Sequence, residues 1–226
     1  MIGALHTARL VAAKDLRIEA RTGEVVLSTA FFGALVAILA SLSFYLDDAT
    51  ARRLAPGVLW VSIAFAGVLA MGRSWARERE HDVLRGLLLT PASRAGVYLG
   101  KALGALAFLL VVEALLVPLV ALFFHVWLPP VLLPLAALLL LGTVGFVAAG
   151  TLFSAMTVRT RARELVLSVV LFPLIAPALL AGVVATREVF GGAGLAETLG
   201  WIRILAAFDV VFVAGGVLLF EPLISD

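Results

Sequence analysis

The stretch VYLGKALGALAFLLVVEALLVPLVALFF, residues 97–124, decides the fold. Only Lys101 and Glu113 carry charge in it. A helix rises about 1.5 Å per residue, so about 20 apolar residues cross the roughly 30 Å hydrocarbon core of a bilayer. This run is long enough to span a membrane and too apolar for the surface of a soluble domain.

Five further apolar runs flank it, at residues 25–46, 56–72, 130–156, 165–186 and 204–220. The last, about 17 residues, sits at the low edge of the spanning range. Across the chain 63% of residues are hydrophobic and 14% charged, against roughly 45–50% and about 25% in soluble domains. The mean hydropathy is +1.14. These values exclude a water-soluble fold and predict an all-α integral membrane protein of about six transmembrane helices. No hydrophilic stretch is long enough for an independent domain, so residues 1–226 form a single transmembrane domain. No internal repeat of the secondary-transporter kind is evident.

The basic residues lie in short segments between apolar runs, where they set orientation, and this excludes a nucleic-acid partner. Thirteen of the 17 Lys and Arg fall on one side: Arg9, Lys14, Arg17 and Arg21; Arg73, Arg77, Arg79, Arg85, Arg94 and Lys101; and Arg159, Arg161 and Arg163. Arg52, Arg53, Arg187 and Arg203 fall on the other. The positive-inside rule therefore places both termini in the cytoplasm. Residues 1–24 hold no continuous apolar signal region, so targeting is expected through an uncleaved first span. In that segment Leu5, Ala8, Ala12 and Leu16 recur at helical spacing with Lys14, Arg17 and Arg21 on another face. The pattern predicts a cytoplasmic interfacial helix.

The most informative polar segment is RSWAREREHDVLRGLLLTPASRAG, residues 73–96. Arg77 and Glu80, Arg79 and Asp82, and Asp82 and Arg85 are each three apart, a spacing that continues the second span as a charged helix. Gly86 breaks it. Leu87, Leu88 and Leu89 then form an apolar tip that something must cover, and Thr90-Pro91 reads as an N-cap with proline at the first helical position.

In order, the charged helix, Arg85-Gly86, Leu87-Leu88-Leu89-Thr90-Pro91, Ser93-Arg94 and Tyr98-Leu99-Gly100-Lys101 resemble the CcmB family of cytochrome c maturation. The resemblance extends to Lys14-Asp15-Leu16, to the span from Trp60 to Gly72, and to Arg77-Glu78-Arg79-Glu80 with Asp82. It implies an ABC-2-like exporter permease of a bacterial-type inner membrane. Its expected partners are a separate cytoplasmic ATPase, CcmA, the haem-handling subunit CcmC, the small protein CcmD, indirectly the haem chaperone CcmE, and a second copy of itself. ATP then sits on the partner and haem is handled by the complex, with no cofactor bound by this chain. Residues 73–96 become the coupling segment that receives the ATPase's motion. An ABC-2 permease for a lipid, glycan or drug, or a non-transporting scaffold, are the alternative readings.

Gly96, Gly100 and Gly104 recur every four residues, a stripe that lets helices approach closely within the chain or against a second copy. They do not form a phosphate-binding loop: three residues separate Gly96 from Gly100, and Ala102 follows the lysine, where a Walker A loop requires four and then Ser or Thr. Glu113 lies mid-span. Two readings stand, a carboxyl on a substrate or proton path, or a packing carboxyl hydrogen-bonded in the interior. Asp209 reads as interfacial, near Arg203. Pro118, Pro173 and Pro177 interrupt spans. His125 beside Trp127 fits an aromatic belt. With no cysteine and three scattered histidines, no catalytic or metal constellation emerges, and the chain is not an enzyme by itself.

The absence of native cysteine makes the orientation directly measurable. Single cysteines replacing Arg85 or Arg161 should react with an impermeant maleimide only after cells are opened, and one replacing Arg53 should react in intact cells. The reverse pattern would overturn the topology.

Overall fold

In lipid every backbone N–H and C=O must be satisfied within the protein, so a chain this apolar resolves into helices. The computed structural model describes residues 3–43, 48–80, 86, 90–157 and 163–225. Its helices are α1 (Ala4–Thr22), α2 (Glu24–Ser43), α3 (Asp48–Glu80), α4 (Arg94–Phe123), α5 (Leu132–Thr157), α6 (Arg163–Phe190) and α7 (Leu199–Ser225). All but α1 are long and apolar enough to cross a bilayer. The run expected at 204–220 is longer than its apolar core, spanning Leu199–Leu223, because Trp201 and Ile202 extend it and Pro222 stays within the helix. Pro56, Pro118, Pro173 and Pro177 likewise sit inside continuous helices.

The amino-terminal helix is present, but its buried face differs from the expected one. Thr7, Ala8, Val11, Ala12, Asp15 and Glu19 are buried, whereas Leu5 and Leu16 are exposed. Small and polar side chains turn inward because α1 packs on α4, whose glycine stripe admits only a close-fitting surface. The leucines are left on the outer surface.

The helices assemble around α4, which touches α1, α2, α3, α5 and α7, and α5, which touches α3, α4, α6 and α7. Leu27, Phe31, Leu35, Leu39 and Leu42 remain exposed at helical spacing along α2, a surface suited to hydrocarbon. The interior is built from apolar clusters stacked along the bundle. Trp75, Tyr98, Leu152 and Phe220 fill the end that carries α1. Met71, Phe108, Phe146 and Leu171 follow, then Trp60, Leu116, Leu135 and Leu138 toward the opposite end.

Trp60 shows why glycines occur in the apolar spans. Its indole lies where a side chain at Gly142 of α5 or Gly182 of α6 would stand, and its Nε1 donates to Thr186 Oγ1 at 2.9 Å. One ring thereby wedges α3, α5 and α6 together with its polar edge satisfied. A Cβ at Gly182 would stand 2.5 Å from Trp60 Cζ2, and the ring has no room to retreat toward Gly142. Gly182→Ala should cost about 1–3 kcal/mol through overpacking and lower the melting temperature of the detergent-solubilised protein. Gly215→Ala, where a Cβ meets nothing within 4 Å, should leave it unchanged. Equal melting of the two variants would refute the wedge.

Candidate functional site

The small-residue stripe of α4 is occupied by α1. A Cβ at Gly96 would strike the Ala4 carbonyl and Thr7, and one at Gly100 would stand 2.7 Å from Ala8 O and 2.6 Å from Val11 Cβ. One at Gly104 would reach Asp15 Cβ at 3.3 Å. The start of α4 sets this register, and its cap is Ser93, not Thr90. Ser93 is extended and its side chain accepts from Gly96 N–H at 3.3 Å. The expected Thr90-Pro91 cap is displaced because the serine lies three residues before an available N–H. At the other end of α1, Gly23 takes φ +60° and donates to Glu19 O at 2.7 Å. Glu19 Oε1 accepts from Val26 N–H at 2.8 Å, supplying a cap to the first turn of α2.

This close approach brings four charges together where α1, the end of α3 and the start of α4 meet. Lys101 Nζ lies 2.9 Å from Asp15 Oδ2 and 2.5 Å from Glu78 Oε1. Lys14 Nζ lies 2.6 Å from the same Glu78 oxygen and 3.2 Å from Asp15 Oδ1. The Lys101 side chain is 3% exposed, Glu78 5%, Asp15 8% and Lys14 38%. Two ammonium and two carboxylate groups make a neutral cluster, which lets charges that are costly to bury singly be buried together. Lys101 also stands 5.6 Å from the centroid of the Trp75 ring, within cation–π reach. Burial works against the charged form of Glu78, but the nearby Lys101 charge and the bonds from both lysines prevail and hold its carboxyl below the ordinary value of 4.5. Burial likewise opposes the Lys14 ammonium, yet its bond to Glu78 and the Asp15 charge keep it above 10.5.

Behind the cluster, Tyr98 Oη lies 3.1 Å from Ala148 O and 3.2 Å from Phe212 O, tying α4 to α5 and α7. The cluster contains no nucleophile paired with a base. Both lysines pair with both carboxylates, while Glu78 Oε2 is buried without a hydrogen-bond partner among the described residues; the cluster's chemistry is attachment, binding three helices into one unit.

The sequence-derived site residues fall as follows. Glu78, grouped with partner-facing charges, is turned inward. Arg77, Arg79 and Glu80 belong to the last turn of α3, with side chains outside the described residues. Asp82, Arg85, Leu87, Leu88 and Leu89 lie outside the described residues altogether. Gly86, Thr90 and Pro91 are exposed. Lys101, counted among loop cations, lies inside α4 and is buried, because Asp15 and Glu78 neutralise it there. Glu113 is buried in α4 and accepts from the Thr143 hydroxyl of α5. Asp209 is not interfacial: it is 8% exposed and its carboxyl lies against Gly145 of α5, the residue without a side chain to exclude it. His125, with φ 53°, and Trp127 are exposed at the end opposite α1. The four-charge cluster and the Trp60 wedge were the arrangements sequence reasoning missed. Their signals were an alternation of Ala8, Ala12, Asp15 and Glu19 on one helical face, and a lysine two turns inside a span.

The chain matches the family model described as CcmB protein over residues 6–220. It is 33% identical over 203 residues to heme exporter protein B of Paracoccus denitrificans, covering 89% of this chain and 90% of the relative. Against heme exporter protein B of Rhodobacter capsulatus the identity is 32% over 190 residues, with 83% and 85% covered. Against that of Pseudomonas aeruginosa it is 28% over 199 residues, with 88% of each chain covered.

Burial ranks the two lysines. Lys101→Met leaves two buried carboxylates with only the half-exposed Lys14, at a cost of about 3–5 kcal/mol, whereas Lys14→Met should cost about 1 kcal/mol or less. Melting of the purified protein, with protease cleavage at the α1–α2 corner as a second readout, should show Lys101→Met far more damaged. Equal effects would mean that the cluster does not hold α1 in place.

Proposed function

Because the chain belongs to the CcmB family, we propose that it is the permease subunit of an ATP-driven cytochrome c maturation complex, handling haem or releasing the haem-loaded chaperone. Catalysis resides on a separate cytoplasmic ATPase of the CcmA kind, which docks on residues 73–96. The membrane partners are CcmC and CcmD, with CcmE engaged indirectly, and the permease pairs with a second copy. The complex sits in a bacterial-type inner membrane with both ends of this chain in the cytoplasm. The relatives' name, heme exporter protein B, supports the haem-handling assignment.

The observation that carries the coupling role is the position of Glu78. It occupies the last turn of α3, inside the docking segment, and is bonded to Lys14 of α1 and Lys101 of α4. A push on the end of α3 therefore displaces α1 and α4 with it. Leu87–Leu89 supply the apolar anchor and the flanking charges set the register of the partner.

Leu88→Asp places a charge in that anchor. The variant should reach the membrane at normal levels, lose the ATPase on co-purification, and reduce mature cytochrome c at least tenfold. Normal ATPase recovery and normal cytochrome c would reject docking at this segment.

A further inference from the structure

A cavity of about 360 Å³ lies between α4 and α5, lined by side chains that are apolar except for Glu113. It opens to the side of the bundle, with Leu132 and Leu140 at its lining exposed on the outer surface of an apolar span. Ala114 and Ala136 also line it, and these small residues leave room that a leucine would fill.

The polar floor of this cavity is built on Glu113. Glu113 Oε1 accepts from Thr143, and its second oxygen takes no hydrogen bond from the described residues. One turn further along α4, Pro118 lines the same cavity. Proline has no N–H, so it cannot donate to the carbonyl of Ala114, four residues earlier. The floor thus presents a carboxyl oxygen without a matching donor beside a helix turn that lacks one N–H. In hydrocarbon an unsatisfied acceptor is costly, and a ligand that brings a donor gains that free energy. The volume falls within the range of about 300–1,000 Å³ typical of small-molecule sites and is too small for a partner helix of about 10–12 Å diameter.

We propose that the α4–α5 cavity is an intramembrane binding site for an uncharged amphiphile, an apolar chain or ring bearing a hydroxyl, that enters from the bilayer and donates to Glu113. The site is separate from the charge cluster and does not depend on ATPase docking.

Two photoreactive probes test it on the intact complex in lipid nanodiscs: a long-chain alcohol carrying a diazirine, and the matching alkane without the hydroxyl. The alcohol should label peptides covering residues 110–118 and 128–140 at least fivefold more than the alkane, and unlabelled alcohol should suppress that excess. Ala136→Phe, which fills the cavity, and Glu113→Leu should remove the excess. Glu113→Gln, which keeps an acceptor, should retain most of it. Competition on the wild-type complex decides the question if a variant fails to assemble. Equal labelling by the two probes, or an excess that survives Ala136→Phe, would overturn the site. So would failure of both probes to reach the cavity because a second copy or another subunit covers it.

Discussion

A lysine ammonium buried to 3% exposure cannot stand without counter-charges, and that requirement at Lys101 organises one end of the bundle. Asp15 must be delivered from α1 and Glu78 from α3, so both helices are brought to the start of α4. The glycine stripe is the steric half of the same requirement. Asp15 reaches Lys101 only because Gly96, Gly100 and Gly104 let the α1 backbone approach closely. Ser93, by fixing where α4 begins, sets which face of that helix the glycines occupy.

Farther along the bundle a second solution to polar burial appears. Glu113 with Thr143 and Trp60 with Thr186 each satisfy a polar group by a side chain on another helix, and Asp209 is accommodated by the missing side chain of Gly145. These contacts share α5 or α6 as the partner helix. They occur within spans whose hydropathy alone marks them as featureless. At the α1 end the polar groups are instead ionic and join three helices.

The spans and the overall class were legible because hydrocarbon thickness imposes a length and the apolar run from 97 to 124 meets it. The positions of charges were less so. Lys101 follows Leu99-Gly100 near a polar segment, and one-dimensional reading groups it with its sequence neighbours; only the tertiary fold shows that Asp15 and Glu78, 64 residues apart from Lys14 in the case of Glu78, converge there. Asp209 was misplaced for a related reason, since the apolar run around it begins later than the helix does. The inward face of α1 was hidden because alanine, threonine and aspartate opposite glycine do not look like a core, although close packing favours them over leucine. The family resemblance in residues 85–101 was carried by chemistry in sequence order and needed no geometry.

The corner at Gly23 gives α1 a particular place in the order of assembly. A left-handed residue turns the chain there, so α1 is not a simple extension of the first span and must find its seat elsewhere. That seat is not yet made. Glu78 is synthesised 64 residues after Lys14, and Lys101 another 23 after Glu78. α1 therefore waits until the third span has begun to emerge before it can dock, and its arrival fixes the ends of α3 and α4 together.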